Sequence, residues 1–110
     1  MYPNWFFNDL FGKYKRRSLQ TNVQFTLTLE EFSKLILMNC VYCKCTPGNS
    51  NKGIKYNGID RKDPHLGYVT ENVVPCCRKC NMVKNNVLSF EEMLLVMSFV
   101  LKLREMRSNG

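Results

Sequence analysis

A chain of 110 residues has room for one domain, and its 45% hydrophobic content supports a folded core and excludes a disordered chain. Sixteen Lys and Arg against nine Asp and Glu leave a formal charge of +7, which suits a polyanionic partner because neutralising phosphates releases counterions. The start Met1-Tyr2-Pro3-Asn4-Trp5-Phe6 is not that of a signal peptide, and no apolar run approaches the roughly 20 residues needed to cross a bilayer. The expectation is a cytoplasmic protein with no membrane partner, whose six cysteines are thiols rather than the disulfides of a secreted chain.

Residues 1–39 form an aromatic and basic N-terminal helical region. The spacing of Phe7, Leu10, Phe11 and Tyr14 predicts a helix that docks one face on the core. Its basic side, Lys13, Lys15, Arg16 and Arg17, is solvated and free to track a phosphate backbone. A capping box, Thr28 with Glu31, opens a second helix whose apolar positions are Phe32, Leu35 and Ile36. Residues 43–57 are rich in Gly, Pro and Asn and predict a surface loop. A short strand follows over 56–61, a return segment at 68–69 and 72–74, and a short helix from 77 to about 85. Ser89 and Glu92 make another capping box, opening a helix that fills much of residues 87–110. Its stripe Phe90, Met93, Leu94, Met97, Val100 and Leu101 must bury. Val96, Phe99 and Leu103 widen the stripe and offer a face for a homodimer.

Two CxxC pairs, Cys40-Val41-Tyr42-Cys43 and Cys77-Arg78-Lys79-Cys80, lie a few dozen residues apart, a spacing that suits tetrahedral Zn²⁺. The second pair stands at a helix N-terminus, where thiolate is favoured over thiol. Cys76 with Cys80 is an alternative pair, but Cys77 reproduces the first pair's spacing. Cys45 and Cys76 are then free thiols. A zinc staple points to metal binding more than to any one function.

Between the pairs run Gly58-Ile59-Asp60-Arg61-Lys62-Asp63, Gly67-Tyr68 and Asn72-Val73-Val74-Pro75-Cys76-Cys77, with Asn81 and Lys84 after the last cysteine. This string resembles the zinc-stapled HNH, or ββα-metal, nucleases, and phage-type HNH proteins in particular, over residues 40–86. The resemblance implies an α+β fold in a single domain of residues 1–110: a small zinc-stapled, treble-clef-like ββα-metal core flanked by N- and C-terminal helices. It implies that Asp60 and Asn81 supply oxygen ligands to one catalytic Mg²⁺ or Mn²⁺, with Asn72 holding the catalytic strand by hydrogen bonds. Lys84, on the same helix surface as Asn81, is either a phosphate ligand or a solvated lysine.

Where the family places its general-base histidine, this chain has Arg61, whose guanidinium (pKa above about 12) cannot take a proton from water. The single histidine, His65, and Asp63 are the candidate bases, and Arg61 is a candidate phosphate clamp. The leading reading is a metal-dependent endonuclease acting on DNA, double-stranded by preference. A non-catalytic zinc-stapled DNA- or RNA-binding module is the alternative, and an oligomerising interaction domain comes third. Asp60 and Asn81 favour the first, since a carboxylate facing a polyanion needs a cation between them.

Overall fold

The computed structural model describes residues 2–85 and 87–109. Helix α1 (Asn4–Gln20) buries Phe6 and Leu10, with Phe7, Phe11 and Tyr14 half-buried beside them. The helix is longer than its aromatic spacing suggested, and Phe6 rather than Phe7 is the deepest residue. It packs on α2 (Leu29–Ile36) through edge-to-face contacts of Phe11 and Tyr14 with Phe32, centroids 5.6 and 5.3 Å apart. The expected capping box opens α2: Glu31 N–H donates to Thr28 Oγ1 at 3.1 Å, and Thr28 N–H to Glu31 Oε1 at 2.9 Å. Leu27, Ile59 and Val73 complete this first core.

Part of the expected surface loop is ordered as an antiparallel hairpin of β1 (Asn49–Asn51) and β2 (Ile54–Tyr56). Lys52 and Gly53 turn it with φ of 50° and 87°, the paired left-handed conformation that suits strand twist. The hairpin is held because Ile54 and Tyr56 reach the first core, Tyr56 lying 5.8 Å from the Phe6 ring. Nor is the strand at 56–61 continuous. Asn57 breaks it, fully buried, its backbone N–H donating to Ile36 O at 2.7 Å and its Nδ2 to Met38 O at 2.9 Å.

Strands β3 (Gly58–Arg61) and β4 (Val73–Cys76) pair antiparallel, with Asp60 opposite Val74 and Arg61 opposite Val73. A 3₁₀ turn at Thr70–Asn72 leads into β4. Every residue of β4 is buried: Val73 joins the first core, while Val74 and Cys76 join a second core with Tyr42, Met93 and Met97. Helix α3 (Arg78–Lys84) follows β4 directly and completes a ββα unit, and α4 (Phe90–Asn109) closes the second core. The Ser89–Glu92 capping box forms as expected, with reciprocal bonds of 2.8 and 3.1 Å. The flank of α4 carrying Leu95 and Phe99 remains exposed. Among the described residues, no helix is long and apolar enough to cross a membrane.

Candidate active site

The Sγ atoms of Cys40, Cys43, Cys77 and Cys80 all lie within 4.8 Å of one another. Tetrahedral zinc with bonds of about 2.3 Å sets its sulfurs about 3.8 Å apart, so this cluster can hold such an ion. Cys43 and Cys77 already stand at 3.6 Å. The first pair sits in a tight knuckle, where Cys40 N–H donates to Cys45 O and Lys44 N–H to Cys40 O, both at 3.0 Å. Lys44 turns the knuckle at φ 66°, a conformation more usual for glycine. Val41 N–H bonds to Pro75 O at 3.0 Å and ties the knuckle to β4. Cys77 is the N-cap of α3, one residue ahead of the helix, and its sulfur accepts from Cys80 N–H at 3.4 Å. Cys45 is exposed and Cys76 buried, and the cluster includes neither. Burial, first of all, pushes the Cys76 thiol well above its ordinary range, as befits a core thiol.

Beside the cluster opens a cleft of about 500 Å³, lined by Asp60, Arg61, Tyr68, Asn81, Lys84 and Asn85 among others. Asp60 is held from two sides. Its Oδ2 accepts the Tyr42 hydroxyl at 2.6 Å and lies 3.3 Å from Lys84 Nζ. Burial, and then the bond to Asp60, push the Tyr42 phenol far above the usual tyrosine value, so it stays a proton donor. Tyr42 stands between the two knuckle cysteines, so the cysteine cluster and the carboxylate share one rigid support. Lys84 is not the solvated lysine of the sequence alternative: its side chain is 3% exposed, and Nζ also donates to Arg61 O at 3.3 Å. Among the described residues, Asp60 Oδ1 makes no hydrogen bond.

Arg61 braces the loop that follows β3. Its Nη1 donates to Pro64 O at 3.0 Å and Leu66 O at 3.1 Å, and its guanidinium lies 5.3 Å from the Tyr68 ring centroid. Asn72 fixes the same loop from the buried side. Its Oδ1 accepts from Asp63 N–H at 2.9 Å, and its Nδ2 donates to the Asp63 and Gly67 carbonyls at 3.0 Å each. Gly67 is required here, since a Cβ would lie 2.4 Å from Gln24 O. His65 and Asp63 are exposed and do not line the cleft, although Pro64 between them does. The N-terminal basic run is dispersed: Lys13 pairs with Asp9 at 3.2 Å, and Lys15 lies over Phe11. Arg17 of that run lines a recess adjoining the cleft. Sequence reasoning missed Tyr42, although a tyrosine inside a CxxC pair of a buried knuckle needs a partner for its hydroxyl.

No family model matches the chain. Over 93 residues it is 38% identical to the uncharacterized protein R423 of Acanthamoeba polyphaga mimivirus, a match covering 83% of this chain and 17% of that protein. The chain thus spans less than a fifth of that relative's length. In three dimensions it matches the rare-cutting HNH restriction endonuclease PacI at a TM-score of 0.72 and 21% identity, over 93% of this chain and 81% of that one. The chain has the HNH fold. With it come the α+β class and the zinc-compatible cysteine staple that the sequence implied. In this HNH fold, β3, β4 and α3 are the ββα unit, and the cleft opens between β3 and α3.

Proposed function

We propose that this chain is a metal-dependent HNH-type endonuclease that hydrolyses phosphodiester bonds in DNA. The observation that carries this reading is the convergence of Asp60, Arg61, Asn81 and Lys84 on one cleft beside the four-cysteine cluster. The cleft offers Asp60 Oδ1, which has no hydrogen-bond partner among the described residues, and the side-chain amides of Asn81 and Asn85, a hard donor set that suits an ion keeping several waters. Asp60 and Asn81 would hold Mg²⁺ or Mn²⁺, which would polarise the scissile phosphate and stabilise charge on the leaving oxygen. The Cys40, Cys43, Cys77 and Cys80 thiolates would hold structural zinc.

The chain's own groups divide the remaining work. Tyr42 fixes the rotamer of Asp60, and Lys84 offsets the desolvation of its charge. Arg61, anchored through Nη1, keeps Nε and Nη2 for phosphate oxygens. Asn72 sets the loop that carries Asp63 and His65, the two candidate bases for the attacking water. The +7 charge favours a nucleic-acid substrate, and the proposed substrate is duplex DNA.

One observation favours a second reading, a nucleic-acid-binding module without activity. The Lys84 ammonium already lies 3.3 Å from Asp60, so the carboxylate has a cation of the protein's own. Supercoiled plasmid incubated with Mg²⁺ or Mn²⁺ separates the two. Nicked or linear product that requires the added ion supports the nuclease; tight binding without cutting in any divalent ion supports the module.

A further inference from the structure

Arg61 and Tyr68 line the cleft and also a second recess of about 220 Å³, walled otherwise by Tyr14, Arg17 and Ser18 of α1 and by Thr21 and Val23 just past its end. Ser18 and Thr21, also in its wall, donate their hydroxyls to the α1 carbonyls of Lys15 and Arg17 at 2.8 and 2.9 Å. The donors left for a ligand are therefore the guanidinium groups of Arg17 and Arg61 and the phenols of Tyr14 and Tyr68. Tyr14 accepts Ile59 N–H at 3.4 Å and retains its own proton, which burial helps it keep. Among the described residues, no carboxylate lines the recess. Among the described residues the ion pairs are Lys13–Asp9, Lys34–Glu30 and Lys84–Asp60, so neither arginine has an acidic partner.

Two unpaired guanidinium groups facing one recess repel each other and gain most from an anion between them. At about 30 Å³ per water the recess holds the equivalent of about seven waters, room for a phosphodiester group but not for a stacked base pair. The shared wall of Arg61 and Tyr68 sets this space directly beside the cleft.

We propose that the recess is a second phosphate subsite, which takes the backbone phosphate next to the scissile one on the same strand. Arg61 stands between the two subsites and Arg17 closes the far side. This rests on the reading that a scissile phosphate enters the cleft. It gives one residue of the N-terminal basic run a defined contact, where the sequence offered only a charged face.

The test measures binding, without divalent ion in the buffer, so it does not depend on cleavage. Zinc-loaded, isotope-labelled protein is titrated with the dinucleotides TpT and pTpT and followed by NMR. Phosphate in the recess should shift the Arg17 side-chain and Thr21 backbone signals, and pTpT, whose two phosphates can fill recess and cleft together, should do so at lower concentration than TpT. For a duplex oligonucleotide, Arg17→Gln should flatten the slope of log K against log salt by about one and weaken binding about 5–10-fold at low salt. Lys102→Gln on α4 should leave that slope unchanged. Arg17 and Thr21 signals that neither dinucleotide moves, or an unaltered slope in Arg17→Gln, would overturn the subsite. A protein that shows the shifts but never cuts DNA retains the subsite and loses the nuclease reading. One that cuts DNA with a silent recess does the reverse.

Discussion

Replacing Tyr42 by Phe removes a single oxygen and, with it, the 2.6 Å hydrogen bond to Asp60 Oδ2. The ring stays where it is, packed edge-on against Phe90 at 5.9 Å, so no cavity opens. Tyr42 is 1% exposed and the Asp60 side chain 11%, which leaves little room for water to take over the lost bond. A hydrogen bond to a charged group contributes about 1.5–3 kcal/mol. A loss of ~2 kcal/mol lowers Tm by on the order of 10 °C in a domain of this size. The variant should keep its zinc, measured by elemental analysis, and lose stability in a thermal melt followed by circular dichroism. Cleavage should also slow, because Asp60 loses the group that fixes its rotamer; about 1.4 kcal/mol of lost positioning is a tenfold slower reaction. DNA affinity should hold. A Tm within about 1 °C of wild type together with an unchanged cleavage rate would refute the claim that Tyr42 couples the knuckle to the carboxylate.

Cys43→Ser or Cys80→Ser should lose the zinc and unfold, since both chain segments meet through the thiolates; zinc-free protein with an unchanged melting curve would contradict this. Lys84→Met strands the Asp60 carboxylate in a largely dry site and should cost about 3 kcal/mol or more. Added Mn²⁺ should raise the melting temperature of that variant more than that of wild type, and a variant as stable as wild type would show that the pair holds nothing. The Glu31 carboxyl is held below its ordinary value of 4.5 by the Thr70 hydroxyl first and by its capping bonds to Thr28. Its contribution to stability is therefore complete above pH 4.5 and is lost as pH falls through the lower folded value. Glu31→Gln, uncharged at every pH, should lower stability at neutral pH, converge with wild type in acid, and so flatten the acid limb of a stability-against-pH curve.

The legible parts of this molecule were those written in neighbouring residues. Thr28 with Glu31 and Ser89 with Glu92 are three residues apart, and both boxes formed. The CxxC spacing favoured Cys77 over Cys76, and the sulfur cluster includes Cys77. Less legible were contacts whose partners lie far apart in the chain. Tyr42 meets Asp60 across 18 residues, and Lys84 meets Arg61 O across 23. Neither pairing leaves a local pattern. The β1–β2 hairpin was hidden for another reason: its strands are only three residues each, and Asn, Ser and Lys mask the Ile54 and Tyr56 positions that dock. Asn72 could be read as a strand-holding residue from the family resemblance, and its three side-chain bonds grip the loop after β3. The basic run on α1 looked uniform in sequence, yet helical rotation sends Lys13 to Asp9 and Arg17 to the recess.

If the cleft around Asp60 cuts DNA with the help of a divalent ion, the Asp60 carboxylate is indispensable to the reaction. Asp60→Asn tests it most directly, because the amide keeps the size of the side chain while removing the charge. Wild type and variant are first matched for zinc content, melting behaviour and affinity for duplex DNA, and then compared on supercoiled plasmid in Mn²⁺. Wild type should cut, and the variant should be slower by about 10²–10³-fold. Equal cutting by the two proteins, or tight binding with no cutting by wild type in any divalent ion, would contradict it.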